Sequence, residues 1–151
     1  SACHDIGKMG IDEKILNKSG QLTEEEYIVM KSHTLIGASM LARLDHYRDE
    51  ELARTAYQIC RWHHERYDGG GYPDGLKGEE IPIAAQVVSI ADAYDALISP
   101  RVYKEGFSHE QAMQMIRNGE CGAFNPLLIE CLEDSQSRIR YLASMTAERF
   151  S

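Results

Sequence analysis

The sequence predicts an all-α domain. Apolar residues recur at helical spacing through most of the chain, two capping boxes mark helix starts, and no stretch alternates apolar and polar residues as a half-buried strand would. The first start is Thr23-Glu24-Glu25-Glu26, where the Thr hydroxyl accepts one orphan N–H and Glu26 reaches back for another. Tyr27, Met30, Leu35, Ala38, Leu41 and Leu44 carry that helix onward, and Gly37 marks either a close helix crossing or a break. A second helix is predicted from about Glu50 to His64, with Leu52, Ala56, Ile59 and Cys60 on one face. The one long irregular stretch runs from about Glu65 to Glu80 and holds Gly69-Gly70-Gly71, Pro73, Gly75 and Gly78. Loops of that length in compact domains are functional or disordered, and the aromatic and charged content here favours function. Pro82 suits the first turn of the next helix, which runs to about Ser99. Ile83, Ala84, Val87, Val88, Ile90, Ala91 and Leu97 make it apolar on several sides, so it is expected to be the central, most buried helix. Ser108-x-x-Gln111 opens another helix. Pro126 opens a last, amphipathic one with Leu128, Cys131, Leu132, Ile139, Leu142 and Met145, and about 131–151 form the C-terminal helix.

Size and charge narrow the function. A chain of 151 residues with 43% apolar content fits one domain, 1–151, with a real core. The net charge of −8 argues against a binder of long nucleic acid, which needs many Lys and Arg contacts to phosphate. A small phosphate ligand held by a metal and a few cations stays compatible. Cys3, Cys60, Cys121 and Cys131 form no C-x-x-C pair and read as free, mostly buried thiols of a reducing cytosol. No charge-free run approaches the ~20 residues of a membrane span, so no membrane contact is expected from this segment. Asp5, Lys8, Asp12 and Glu13 interrupt the start, so no signal peptide is expected. The chain opens on Ser-Ala-Cys-His-Asp with no capping signal before it, as a piece cut inside a helix would.

Several residues carry candidate chemistry. Neighbours on a helix point about 100° apart, so His4 and Asp5 reach one metal only if it sits beside the backbone between them. The Asp5 carboxylate has two oxygens and can bridge a second ion. Alone, such a dipeptide reads equally as a surface or capping pair. His63-His64 is a second adjacent pair, placed where a helix meets the glycine loop. His33, in mid-helix among apolar neighbours, is a satisfied core residue or a ligand. Asp92 lies between Ala91 and Ala93 in the most apolar helix, where an unpaired charge is too costly, so it is either ion-paired or a metal ligand. Asp95, three residues on, can orient a ligand His. Neutral imidazoles with carboxylates suit Fe, Mn or Zn, and two such ions can hold a phosphodiester and activate water. Lys8, about one turn after His4, can neutralise phosphoryl charge. In the loop, Gly71 permits close backbone approach, Tyr72 can stack on a base and Pro73 fixes the bend. Arg101 and Lys104, one turn apart, are candidate substrate contacts on an otherwise acidic chain, or a solvated helix end.

These residues resemble, in order, the HD-GYP domain of the HD superfamily. The resemblance rests on His4-Asp5-Ile6-Gly7-Lys8, Ile15-Leu16-Asn17-Lys18 with Gly20 and Leu22, and Met30-Lys31-Ser32-His33 with Gly37. It continues through His63-His64-Glu65-Arg66, Asp68-Gly69-Gly70-Gly71-Tyr72-Pro73-Asp74-Gly75-Leu76 with Gly78, Ile81-Pro82, Ile90 to Leu97 and Arg101-Val102-Tyr103. It covers about residues 1–130 and implies a helical bundle with a centre of two or three divalent metal ions, Fe or Mn, with Zn or Ni as alternatives. By position it implies His4, Asp5, His33, His63, His64 and Asp92 as ligands, with Asp5 bridging. Lys8 is then the catalytic-site lysine, and Tyr72, Arg101 and Lys104 are substrate contacts. The implied activity is hydrolysis of cyclic di-GMP, a bacterial second messenger, to the linear dinucleotide or on to GMP, by in-line attack of metal-activated water. The implied setting is cytoplasmic signal transduction, with GGDEF-type proteins and an upstream sensory or receiver domain as partners. Family members carry a Glu and a His on a helix before the His-Asp pair, and this chain begins after that point. Asn125 stands where an Asp often precedes Pro126. A degenerate, inactive module that binds cyclic di-GMP or docks a protein partner, and another HD-type nucleotide hydrolase, are the competing readings. The intact ligand set speaks against the first and the Gly-Tyr-Pro loop against the second.

Overall fold

The computed structural model describes residues 3–44, 50–99 and 106–141 and is helical, with no strand among them. Compactness divides it into two units, Ser1–Ser89 and Ile90–Ser151. In the first, a 3-10 helix Ile6–Gly10 is followed by α1 (Glu13–Leu16), α2 (Glu24–Lys31), α3 (His33–Ala42) and α4 (Glu51–Trp62). A loop containing the short 3-10 helix Gly78–Glu80 then leads to α5 (Ile83–Ile98), which runs through the boundary into the second unit. There α6 (His109–Arg117) and α7 (Pro126–Asp134) follow, and residues 136–141 are again helical. The predicted starts are found: Thr23 and Ser108 each close a reciprocal capping box, and Asn125 caps α7 through the Leu127 N–H at 3.0 Å, with Pro126 in the first turn.

The long helix expected from Thr23 to Leu44 is instead two, α2 and α3, parted at Ser32. The break has a local cause. The Ser32 hydroxyl donates to the Val29 carbonyl (2.6 Å), His33 Nδ1 to Met30 (2.7 Å) and the Thr34 hydroxyl to Lys31 (3.0 Å). Successive side chains thus take the carbonyls that a continuing helix would use. Gly37 marks a close crossing, not a break. Its Cα faces Gly7, and a Cβ added at Gly7 would overlap the His33 carbonyl oxygen and crowd the Gly37 nitrogen. The 3-10 helix therefore lies directly on α3, which also packs on α4.

Polar side chains fill much of the first unit's interior. His33, Thr34, His63 and Glu65 are buried beside the apolar Ala38, Cys60, Ile81 and Ala85. On the expected α4 face Cys60 is fully buried and Ala56 and Ile59 are half-buried, but Leu52 is 81% exposed. The same holds for α5. Ile83 and Val87 are exposed, and the buried stripe instead includes Gln86 and Ser89. Gln86 earns that position by donating to the Ile81 carbonyl at 2.7 Å, which satisfies the end of the preceding loop. In the second unit Ile90, Tyr94, Ala112, Met113, Ile116 and Phe124 form the core. The predicted last helix stops at Ser135 before helical backbone resumes, Cys131 is exposed, and Leu142 and Met145 lie outside the described residues. None of the four cysteines is in a disulfide, but the expectation that the thiols are mostly buried needs correction, since Cys60 alone is buried and Cys3 and Cys131 are exposed.

Candidate metal centre

Three separate elements deliver the cluster. Asp5 ends a turn and is the N-cap residue of Ile6–Gly10, but its side chain makes no capping bond, so its carboxylate is turned elsewhere. The His-Asp pair thus stands in a turn, not inside the α-helix that the sequence suggested. His33 is the first residue of α3, and His63 is the C-cap of α4 with His64 next to it. One ligand atom from each of Asp5, His33, His63 and His64 lies within 4.8 Å of all the others.

Each buried imidazole is locked by backbone. His33 Nδ1 donates to the Met30 carbonyl, and His63 Nδ1 to those of Ile59 (2.9 Å) and Cys60 (3.2 Å). This leaves the lone pair on Nε2 of both rings. Those two nitrogens face each other at 3.5 Å, and Asp5 Oδ1 is 3.3 Å from the first and 3.8 Å from the second. Burial depresses both histidines, His63 to about 4, so the rings are neutral at pH 7. Burial would raise the Asp5 carboxyl, but hydrogen bonds from His4 and Lys8 and the Lys8 charge outweigh it and hold it well below the ordinary carboxylate range. Asp5 Oδ1 and Nε2 of His33 and His63 thus converge as acceptors, and Asp5 Oδ1 is buried without a hydrogen bond among the described residues. Two neutral nitrogens and a carboxylate oxygen suit a divalent transition metal.

This burial has a consequence for stability. With metal removed by a chelator, the unfolded chain protonates His63 near its ordinary 6.5 while the folded chain resists until about 4. Stability is then whole above pH 6.5 and is lost as pH falls toward 4, by roughly 3 kcal/mol from this residue. Urea unfolding of chelated protein across this range is the measurement, and a flat profile would contradict the assignment.

The other predicted residues fall as follows. His4 stands beside the group, with Nε2 3.4 Å from Asp5 Oδ2 and its ring 5.0 Å from that of His63. Lys8 Nζ is 2.6 Å from Asp5 Oδ2. Tyr72 stacks on His64 (4.8 Å, 25°), donates its N–H to the His64 carbonyl at 3.2 Å and joins Pro73 through a cis peptide. Gly71 rests on the Glu65–Arg66 backbone where no Cβ fits. Asp92 is half-buried and Asp95 exposed, both on α5 within the second unit. Arg101 and Lys104 lie outside the described residues. Two residues near Tyr72 escaped sequence reasoning. Lys31 places its ammonium 5.7 Å from the Tyr72 ring centre, and Glu65 is a buried acid in the loop. Both stand in the motifs, Lys31 two positions before His33 and Glu65 directly after His64.

A helical fold with a convergent His/Asp group fits a metal-binding domain. Residues 1–125 match the HD domain family, a metal-dependent family, and the chain belongs to it. It is 46% identical over 128 residues to a cyclic di-GMP phosphodiesterase of Vibrio cholerae, covering 84% of this chain and 26% of that protein. A cyclic di-GMP phosphodiesterase of Thermotoga maritima is 42% identical over 127 residues (84% and 33%). A 3'3'-cGAMP-specific phosphodiesterase of Vibrio cholerae is 37% identical over 132 residues (87% and 24%). The chain thus spans a third or less of the length of these relatives. Among the described residues no helix is long and apolar enough to cross a membrane.

Proposed function

We propose that the chain is a metal-dependent phosphodiesterase that hydrolyses cyclic di-GMP to linear pGpG, to GMP, or to both. The observation that carries the reading is the acceptor-only cluster of Asp5, His33 and His63, completed by His64. The relatives named as cyclic di-GMP phosphodiesterases support the substrate. The ligands would be His4, Asp5, His33, His63 and His64, to which the sequence motif adds Asp92, with Asp5 bridging two of two or three ions. Fe or Mn is proposed, with Zn or Ni as alternatives. Bound ions would supply a nucleophile from water at neutral pH and neutralise charge on the phosphoryl oxygens.

The chain's own residues do the rest. Lys8 holds Asp5 in place, and its side chain, 40% exposed, keeps a positive charge at the rim for a phosphoryl oxygen. His33 and His63, 2% and 0% exposed, close the floor of the site to water. Gly71, Tyr72 and Pro73 form a wall against His64 for a nucleobase, and Arg101 and Lys104 are further proposed contacts. Asp95 is proposed to orient a ligand. The proposed setting is the cytoplasm, beside GGDEF-type proteins and a sensory or receiver domain.

The test offers metal-loaded protein cyclic di-GMP and, because one relative is named for it, 3'3'-cGAMP, with products separated by chromatography. Cyclic di-GMP is expected to be consumed the faster, with turnover stopped by chelator and restored by Mn2+ or Fe2+. Faster loss of 3'3'-cGAMP would reassign the substrate, and binding without hydrolysis by metal-replete protein would make the domain a sensor.

A further inference from the structure

Glu65 is 3% exposed, buried in the first unit beside the ligand His64, and the metal cluster makes no use of it. One of its oxygens works hard. Oε1 accepts the N–H of Asp74 at 2.7 Å and of Gly75 at 3.1 Å, across the glycine loop. The other, Oε2, is buried with no hydrogen-bond partner among the described residues. A buried acid that leaves one oxygen unsatisfied is a poor choice for stability alone. Its neighbours repeat the pattern. Gly71 seats on the Glu65 backbone, the Tyr72 N–H bonds to the His64 carbonyl, and Asp74 is gripped by Arg61 Nε (2.8 Å), Arg61 Nη2 (3.0 Å) and Trp62 Nε1 (2.7 Å). The loop carrying Tyr72 is thus tied at both flanks to the segment that ends in the two ligand histidines.

We infer that Glu65 is a positioning residue. It fixes the Tyr72 loop in register with His64, so that the wall for the substrate and the metal cluster move as one piece. The inference rests on the phosphodiesterase reading for its kinetic part only. A freed loop costs binding before it costs chemistry, because Glu65 touches neither the ligand atoms nor the proposed reacting atoms.

The experiment compares metal-loaded wild type, Glu65→Ala and Glu65→Gln, the last of which keeps an acceptor at Oε1. Loss of the two hydrogen bonds that Oε1 accepts is expected to raise KM for cyclic di-GMP by roughly 10- to 100-fold in Glu65→Ala. Expected alongside are kcat within about 3-fold and unchanged metal content, and Glu65→Gln within about 3-fold of wild type in KM, since the acceptor is retained. An unchanged KM in Glu65→Ala, or a fall in kcat with loss of metal, overturns the inference. A readout on the wild type alone guards against misfolding of the variant. Hydrogen exchange at the Asp74 and Gly75 amides is expected to be slow, and exchange at the rate of open backbone overturns the inference. If wild type hydrolyses no cyclic dinucleotide, the functional reading fails by itself, and these amides still decide the role of Glu65.

Discussion

Asp5→Ala is expected to lose its metal and its turnover together. The carboxylate is the one anionic member of the convergent group, and its Oδ1 lies 3.3 Å from His33 Nε2 and 3.8 Å from His63 Nε2. Alanine leaves the neutral imidazoles of the group without its carboxylate, and Lys8 without the partner it holds at 2.6 Å. Several kcal/mol of transition-state stabilisation should disappear, on the order of 10³-fold in turnover. Elemental analysis and product chromatography give both numbers on one preparation. Circular dichroism of the chelated proteins should coincide, because the His33 and His63 tautomers are held by backbone carbonyls and not by Asp5. Retention of both metal and turnover would show that the centre lies elsewhere.

Gly7→Ala is expected to damage fold and site at once. An added Cβ would overlap the His33 carbonyl oxygen, and backbone cannot step aside as a flexible side chain does. Overpacking of this kind costs about 1–3 kcal/mol or more, and a chain of this size loses roughly 2–4 °C in Tm per kcal/mol. The strain is relieved only by lifting Ile6–Gly10 from α3, which carries Asp5 away from His33. A Tm lowered by about 5–10 °C, with weaker metal retention, is therefore expected. Gly20→Ala is the control, because a Cβ there meets nothing within 4 Å. Equal melting of the two variants would refute the crossing.

What the sequence revealed divides by physical scale. Capping boxes at Thr23 and Ser108 and the first-turn Pro126 act over a few residues, so local chemistry announced those starts. The candidate ligands Asp5, His33, His63 and His64 were legible as residue types at motif spacing, though only the fold shows their atoms converging. The break at Ser32 was hidden because apolar spacing continues across it. Its signal was the run Ser32-His33-Thr34, three side chains able to capture backbone carbonyls in succession. The inward face of α5 was misjudged because Gln86 is worth more inside, bonded to Ile81, than Ile83 or Val87 would be. The role of Glu65, quoted only as part of a motif, went unread for a related reason. A charged residue in a loop reads as solvated until its partners, Asp74 and Gly75, are seen to fold back over it.

The carbonyl partners of His33 and His63 also bear on how such a site endures sequence drift. Met30, Ile59 and Cys60 steer the ligand rings with main-chain atoms alone. Any residue at those places presents the same oxygen, so exchange of the side chain cannot delete the contact. The orientation of the rings is stored in helix ends, beyond the reach of most single substitutions there. Change can accumulate around the rings, three or four positions before His33 and His63, while the imidazoles keep their aim.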